Sequence, residues 1–441
     1  MKKILIWLLA VVFIFSIIFI VGCKVTPSEA TTAAETTEAA TTAAEATTSG
    51  EKITLEFWSW NTEGDYPKVH EEDANRFMAD NPNVEIKRTY IGGNDFHIKV
   101  KTIASGGTLP DIIQGAMIVN SSTPGLESAG MLVDLTELSL QQGFPKFYPS
   151  AVKEITLDGK VWGIMLDLNT LQIAYNENMF KQLGLEIPKS QDELKSLVQK
   201  LKDNGKYCLA VGTKDQWVGV DLFFAQLAYL DPDGTLVDKA DKGEISWNQP
   251  EFVQAAQNVL DLIKAEVFAP GANSMDSFVG AKDLFTSQQA AMFYPVGNFI
   301  TGGITSAIAG AFDYTLFPTP PLKAGDEFYP TGGGAEAFCI TKDCKHPDIA
   351  LKFLQYMTDD KGKDTLVKYD FIPSSDYNGD LSSKSDLSKN MLNAQSKFKR
   401  RCNIQNQEVS TVMLSSIQGL MGQELTAQQF IDTLVKAAEK K

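Results

Sequence analysis

Apolar positions fall into three regimes along the chain. From residue 4 to 21 they are continuous, broken only by Ser16, after Lys2 and Lys3 and ahead of Gly22-Cys23. From 24 to 50 they thin out to alanines, with Val25 the only large aliphatic residue. Beyond residue 50 they recur with two alternating periods. Residues 53–58 (ITLEFW) alternate and predict a strand, as do 84–91. Between them Val69, Asp73, Phe77 and Met78 keep helical spacing until Asn81-Pro82 stops it. Phe96, Val100, Ile103 and Ala104 predict a second helix, ended by Gly106-Gly107, and 111–119 reads as a buried strand. Residues 161–176 form a long apolar run interrupted by Asp167, Asn169 and Gln172. Ser190 and Glu193 form a capping box ahead of a face of Leu194, Leu197, Val198 and Leu201. A strand at 207–211, an apolar helix at 217–230 and a helix opened by Pro250 follow. Residues 290–294 and 338–341 predict strands, and the prolines of 314–321 (YTLFPTPP) keep that stretch extended. Ile349, Ala350, Phe353, Leu354 and Met357 share a helix face, and the chain is mostly helical from 408. Strand–helix alternation of this kind predicts an α/β fold with a largely parallel sheet.

The first two regimes stand apart from that fold. A basic head, an apolar body and a small residue before a break describe an export signal. The run is longer than the usual h-region of about 7–15 residues and just long enough to span a bilayer, so an uncleaved anchor is the competing reading. Its end, Ile20-Val21-Gly22-Cys23, resembles the bacterial lipobox. That resemblance implies removal of 1–22 and lipidation of Cys23, with the membrane as a partner through the lipid. Residues 23–50 then form a tether: nine Thr, eight Ala and four Glu fill most of 24–50, and TTAAE occurs at both 31–35 and 41–45. Such a segment buries too little apolar surface to offset its ordering entropy. Ala and Glu favour a helix, but the Thr pairs oppose it through restricted χ1.

Composition narrows the classes. The 441 residues include 40 Lys+Arg and 55 Asp+Glu, a formal net charge of −15, and the sequence pI is about 4.8. That balance argues against general nucleic-acid binding, which needs basic charge to displace phosphate counterions. Residues 51–441 carry 37 basic and 51 acidic side chains, enough to keep a large body soluble. Three His and no CxxC or Cys/His spacing give no metal centre, and nothing calls for a cofactor. Beyond Cys23 the cysteines are 208, 339, 344 and 402; four Cys permit three pairings, and free thiols are equally compatible.

Five stretches, at 109–113, 129–136, 158–185, 290–299 and 332–358, together resemble the family-1, maltose-binding-like branch of the extracellular solute-binding proteins of ABC importers. LPDII at 109–113, AGMLVDLT at 129–136 and AAMFYPVGNF at 290–299 match in order and spacing. The most specific stretch is DGKVWGIMLDLNTLQIAYNENMFKQLGL at 158–185, and GGGAEAFCITKDCKHPDIALKFLQYMT at 332–358 completes the set. The resemblance covers nearly all of 51–441. It implies a two-lobed periplasmic-binding-protein type II-like fold with about three crossing segments, near 165–172, 315–320 and 341–346. Lobe 1 would be 51–167 plus 319–342, and lobe 2 would be 168–318 plus 343–441. It further implies a monomeric, non-catalytic receptor that closes on a carbohydrate and passes it to an ABC permease. A binding protein for another solute (polyamine, glycerol phosphate or peptide) and a secreted carbohydrate-active enzyme are the rival readings.

A sugar presents C–H faces, which suit aromatic rings, and hydroxyls, which suit Asp, Glu, Asn and Gln. In open α/β sheets ligands lie beyond the carboxyl ends of strands. On that basis the candidates are Trp60, Asn61 and Asp65 after the first strand and Gln114 after the third. Asp167 and Asn169 interrupt the apolar run, where they need partners that are either ligand hydroxyls or the opposite lobe. Trp217 opens a helix; Asn298 and Phe299 follow Gly297, with Phe299 standing where the family pattern has Trp. Gly333 and Gly334, with Gly332 and Glu336, resemble a loop that approaches ligand by its backbone; a flexible connector is the alternative. Trp58 is expected in the core, Trp162 and Trp247 to be packing or surface residues, and Asp111 to cap backbone N–H groups.

Overall fold

In the computed structural model, residues 51–440 are described apart from 63, 116–124, 128, 140–143, 232, 233, 330, 383, 385, 387, 388, 391–398, 401–403 and 405. The N-terminal signal, Cys23 and the tether lie outside the described residues, as does Cys402.

The alternating run becomes β1 (Ile53–Ser59), whose Leu55 and Phe57 are fully buried. α1 (Tyr66–Asp80) starts with a proline in its first turn and buries Tyr66, Val69, His70, Asp73, Ala74 and Phe77 along one stripe. β2 (Val84–Tyr90), α2 (Gly93–Ala104) and β3 (Ile112–Gln114) complete the first βαβαβ set. β1 pairs in parallel with both β2 and β3. α3 (Pro149–Glu154) precedes β4 (Ile164–Asn176), a 13-residue strand buried along almost its whole length. The second set comprises α4 (Gln191–Asp203), β5 (Tyr207–Val211), α5 (Gln216–Leu227), α6 (Pro250–Lys264), β6 (Ala290–Val296), α7 (Asn298–Ile308) and β7 (Tyr314–Phe317). The chain then returns through β8 (Thr331–Ile340), α8 (Pro347–Thr358), α9 (Asp360–Lys368) and β9 (Ile372–Pro373), and ends in α10 (Gln407–Met421) and α11 (Ala427–Glu439).

The strand order is β2-β1-β3-β8-β4-β6-β5, with β7 and β9 also on β4. β4 changes partners midway. From Ile164 to Leu171 it runs antiparallel to β8; from Gln172 onward it pairs with β6 and β7. The two lobes are therefore joined along one continuous strand, with the change between 171 and 172. The register of β8 shifts on either side of Glu336, a bulge that re-aims this side chain.

The last third of the chain divides differently from the expected boundary at 343. α8 and α9 pack on the first lobe. Phe353 meets Phe57 at 5.8 Å and Phe77 at 5.3 Å, and Tyr356 lies edge-on to Phe77 at 5.0 Å. Arg76 of α1 donates to both Asp359 carboxylate oxygens at 2.8 and 3.1 Å. Each buried Phe here contributes roughly 1.5–3 kcal/mol, so the placement rests on several apolar anchors plus a forked ion pair. α10 and α11 instead share a core with α5 and α6, where Phe223 meets Phe430 at 5.5 Å. The return to the second lobe thus lies between β9 and α10, not near 341–346. The 332–334 glycines are strand, not loop. At the capping box Ser190 accepts from Glu193 N at 3.2 Å, but the Glu193 carboxylate reaches Lys189 N, one residue before the box position.

Trp58, Trp162 and Trp247 are buried, and Asp111 accepts from Glu56 N at 2.8 Å. Cys208, Cys339 and Cys344 are buried free thiols.

Candidate functional site

The registers bring the carboxyl ends of strands from both lobes to one place. β1 and β3 end across β8 from the start of β4, because Gln114 pairs with Phe338 and Phe338 with Ile164, so the chain leaving β1 runs on toward Glu336 and Asp167. From the other side β6 reaches β4 with Val296 opposite Gln172, and β5 runs parallel to β6. The described residues following β1, β5 and β6 therefore converge on the junction of the lobes.

Each lobe sets aromatic surface there. Trp60, half-buried after β1, stands edge-on to Phe96 at 5.4 Å and His97 at 5.3 Å. Burial, with the Lys101 charge adding to it, pushes His97 down to about 4, so the imidazole beside Trp60 is neutral at physiological pH. In the second lobe Trp217, in the first turn of α5, lies 6.3 Å from Phe299 and 6.1 Å from Phe278, and those two rings are 5.8 Å apart. This trio spans three separate elements. Phe278 was not singled out from the sequence; the available signal was an aromatic residue beside Val279, flanked by Ser277 and Gly280.

Polar side chains behind Trp60 hold its backbone. Gln114 Oε1 accepts from Ser59 Oγ at 2.7 Å and from Trp60 N at 2.9 Å, and Ser59 Oγ accepts from Asn61 N at 3.1 Å. Asn61 Nδ2 donates to Glu336 Oε1 at 2.8 Å, while His70 Nε2 lies 2.8 Å from Glu336 Oε2. The relay fixes residues 59–61 from below.

A second polar group sits on the crossing strand. Tyr66 OH donates to Asp167 Oδ2 at 2.8 Å, and Asn298 Nδ2 donates to the same oxygen at 3.1 Å and to Leu168 O at 3.0 Å. Asn298 N donates to Asn169 Oδ1 at 3.2 Å. Burial, followed by the nearby Glu336 charge, holds the Asp167 carboxyl well above the usual carboxylate range, and burial likewise raises the Tyr66 phenol. Gly297 is required here: a Cβ on it would lie 2.1 Å from Asn169 Oδ1. On β8, a Cβ at Gly333 would meet Glu154 Oε1 at 2.6 Å, and Gly334 N donates to Glu154 Oε2 at 2.8 Å. These glycines admit the α3 carboxylate; they are not an exposed backbone edge.

The candidates thus separate. Trp60, Asn61, Asp65, Trp217 and Phe299 keep solvent-facing surface. Gln114, Asp167, Asn169, Asn298, Gly333, Gly334 and Glu336 are buried, with protein groups packed or hydrogen-bonded against them. Tyr66 and His70 were missed, although their four-residue spacing on the buried face of a predicted helix was legible. A groove of about 620 Å³ lined by Tyr207, Phe268, Asn273 and neighbours contains none of the candidates.

A two-lobed α/β body joined along a shared strand is the architecture of a solute receptor. The family model for bacterial extracellular solute-binding proteins matches residues 58–364, and the chain belongs to that family. It is 25% identical over 313 residues to the multiple sugar-binding protein of Streptococcus mutans, covering 70% of this chain and 71% of that protein. It is 26% identical over 269 residues to the maltodextrin-binding protein MdxE of Bacillus subtilis, covering 58% of each. Among solved structures, one from work on xylan utilisation by Caldanaerobius polysaccharolyticus superimposes with a TM-score of 0.75 at 21% identity, over 87% of this chain and 99% of that one. A chitin oligosaccharide binding protein gives a TM-score of 0.73 at 21% identity, over 87% and 98%. The structural likeness establishes the fold.

Proposed function

We propose that this protein is a lipid-anchored receptor that captures a mono- or oligosaccharide outside the cytoplasmic membrane and delivers it to an ABC permease. What supports the reading is a partly exposed aromatic group in each lobe, Trp60 with Phe96 in one and Trp217, Phe278 and Phe299 in the other, which on this proposal face the ligand from opposite sides. Rings suit the C–H faces of a pyranose, and Asn61 and Asp65 beside them suit its hydroxyls. The similar proteins named for sugars support the same class. None of the solvent-facing candidates is basic, which favours a neutral ligand over an anionic one. Ligand contacts from both lobes would stabilise a closed form, since only a difference in affinity between forms can shift their balance. Lipidation of Cys23 and the 23–50 tether would keep the receptor at the outer face of the membrane, and no catalytic step is invoked.

A thermal-shift panel of mono- and oligosaccharides, with a polyamine, glycerol phosphate and a peptide as comparators, tests this on the purified chain. A ligand at 100 times its dissociation constant adds about 2.7 kcal/mol of stability. Stabilisation by a comparator and by no sugar would refute the carbohydrate reading, and sugar turnover would make the protein an enzyme. Trp60→Ala is expected to weaken sugar binding at least about tenfold without unfolding the protein, tenfold being about 1.4 kcal/mol. Intact mass of membrane-extracted protein should show acylation at Cys23; retention of residues 1–22 would defeat the lipobox reading.

A further inference from the structure

Asp167 was expected at the ligand, yet it is fully buried. One of its oxygens does something more unusual. Oδ2 accepts a hydrogen bond from Tyr66 of the first lobe at 2.8 Å and another from Asn298, the first residue of α7 in the second lobe, at 3.1 Å. All three side chains are at most 3% exposed. The same two segments touch again alongside. Phe299 packs with Tyr66 and Phe371, and Gly302 of α7 comes so close to the first lobe that a Cβ there would lie 2.5 Å from Asp65 Oδ2.

We propose that Asp167 is the coupling residue between the lobes: one carboxyl oxygen holds a donor from each, so the balance between open and closed forms turns on it. The inference rests on the receptor reading for its meaning but not for its test. Moving α7 away from α1 would part Asn298 from the carboxyl that Tyr66 also holds. If the acceptor is removed, the closed form leaves the Tyr66 hydroxyl buried without a partner, whereas opening lets water reach it. The equilibrium then moves toward the open form, and apparent affinity falls with the closed fraction.

The groups around Asp167 give the coupling a pH dependence. Tyr66 faces it from α1, Glu336 from β8, and the uncharged Asn298 from α7; Glu336 is in turn bonded to His70 of α1 and to Asn61 and lies near Tyr90 of β2, and Glu154 of α3 bonds the neighbouring Gly334. Burial first and the Glu336 charge second favour the protonated carboxyl while Tyr66 and Asn298 enclose it. Opening hydrates the group and releases that preference. Alkaline pH therefore favours opening, and affinity declines as pH rises through the closed-form titration.

The test is amide hydrogen exchange by mass spectrometry on the full chain in detergent, without ligand, following segments 66–70 and 298–304. Asp167→Asn keeps a neutral acceptor and is expected to exchange within about threefold of the parent, with its pH dependence flattened. Asp167→Leu is expected to raise exchange in both segments about tenfold or more, about 1.4 kcal/mol of lost protection. Parent-like exchange in the Leu variant, or equal acceleration in both variants, overturns the proposal. If Leu prevents folding, Tyr66→Phe removes only the first-lobe donor. It should still accelerate 298–304 in the other lobe, and unchanged exchange there is equally fatal. Because no ligand enters, a failed sugar panel leaves the outcome readable.

Discussion

Gly297→Ala isolates one steric contact at the junction of the lobes. Gly297 has φ −129° and ψ 179°, extended backbone that alanine adopts freely, so the substitution introduces no dihedral strain. The added Cβ would instead lie 2.1 Å from Oδ1, 2.7 Å from Nδ2 and 2.8 Å from Cγ of Asn169. An ordinary contact needs more than about 1 Å of retreat, and Asn169 is only 9% exposed. Retreat breaks the 3.2 Å bond from Asn298 N to Asn169 Oδ1. Overpacking costs about 1–3 kcal/mol, and a buried N–H left unpaired costs about 1–3 kcal/mol more. The lower entropy of the unfolded alanine chain returns about 0.4–1 kcal/mol. A net destabilisation of about 2–4 kcal/mol follows, measurable by urea unfolding monitored through tryptophan fluorescence. Combining it with Asn169→Ala removes the obstructing amide, so the double variant should be less destabilised than the sum of the singles by about 1–2 kcal/mol. A single-variant cost below about 0.5 kcal/mol, or strict additivity, would show that the close approach is not what requires glycine here.

Other perturbations probe separate parts of the molecule. Trp217→Ala removes the ring that spans Phe278 and Phe299, and should weaken ligand binding about tenfold or more by titration calorimetry with little change in unfolding. Arg76→Ala removes the forked bond to Asp359 and leaves Asp73, which burial lifts to about 7 against the pull of Arg76, without its cation. A raised carboxyl contributes stability below its unfolded value that is lost as pH rises toward the folded one. Unfolding at pH 5 and 8 should therefore show a loss of about 2–4 kcal/mol that is larger at pH 8; a pH-independent loss would contradict the burial of Asp73. Cys208 and Cys339, whose thiols burial pushes up to about 12, should resist alkylation in the native protein at pH 8 and react after denaturation, as read by peptide mapping.

Periodicity made most elements legible. The strand expected at 207–211 is β5 with the same ends, and the helix opened by Pro250 is α6, because apolar residues there repeat with one unambiguous period. Long-range placement was not legible in the same way. The apolar stripe of α8 shows which face is buried, but not that its partner is Phe57 and Phe77, some 280 residues earlier in the chain. The glycines at 332–334 carry no pattern to read, and their strand character depends on Asn169 and Glu154 from other segments. Polar interruptions at Asp167 and Asn169 announced a need for partners. Tyr66 and Asn298, distant in sequence, supply protein partners to Asp167 Oδ2 and Asn169 Oδ1, which no local pattern announces.

The shared strand β4 also governs when each lobe can exist. Its first half needs β8 and β9 beside it, and the first lobe further needs α8 and α9 over α1. The second lobe is complete only when α10 and α11 cover α5 and α6. Neither lobe is a contiguous piece that can finish while the rest of the chain is being made. A polypeptide threaded N-terminus first reaches its final hundred or so residues with both cores still open, so folding is deferred until nearly the whole chain has emerged. Any product truncated before α10 lacks a finished second lobe, and the cleft is assembled only at the end of the process.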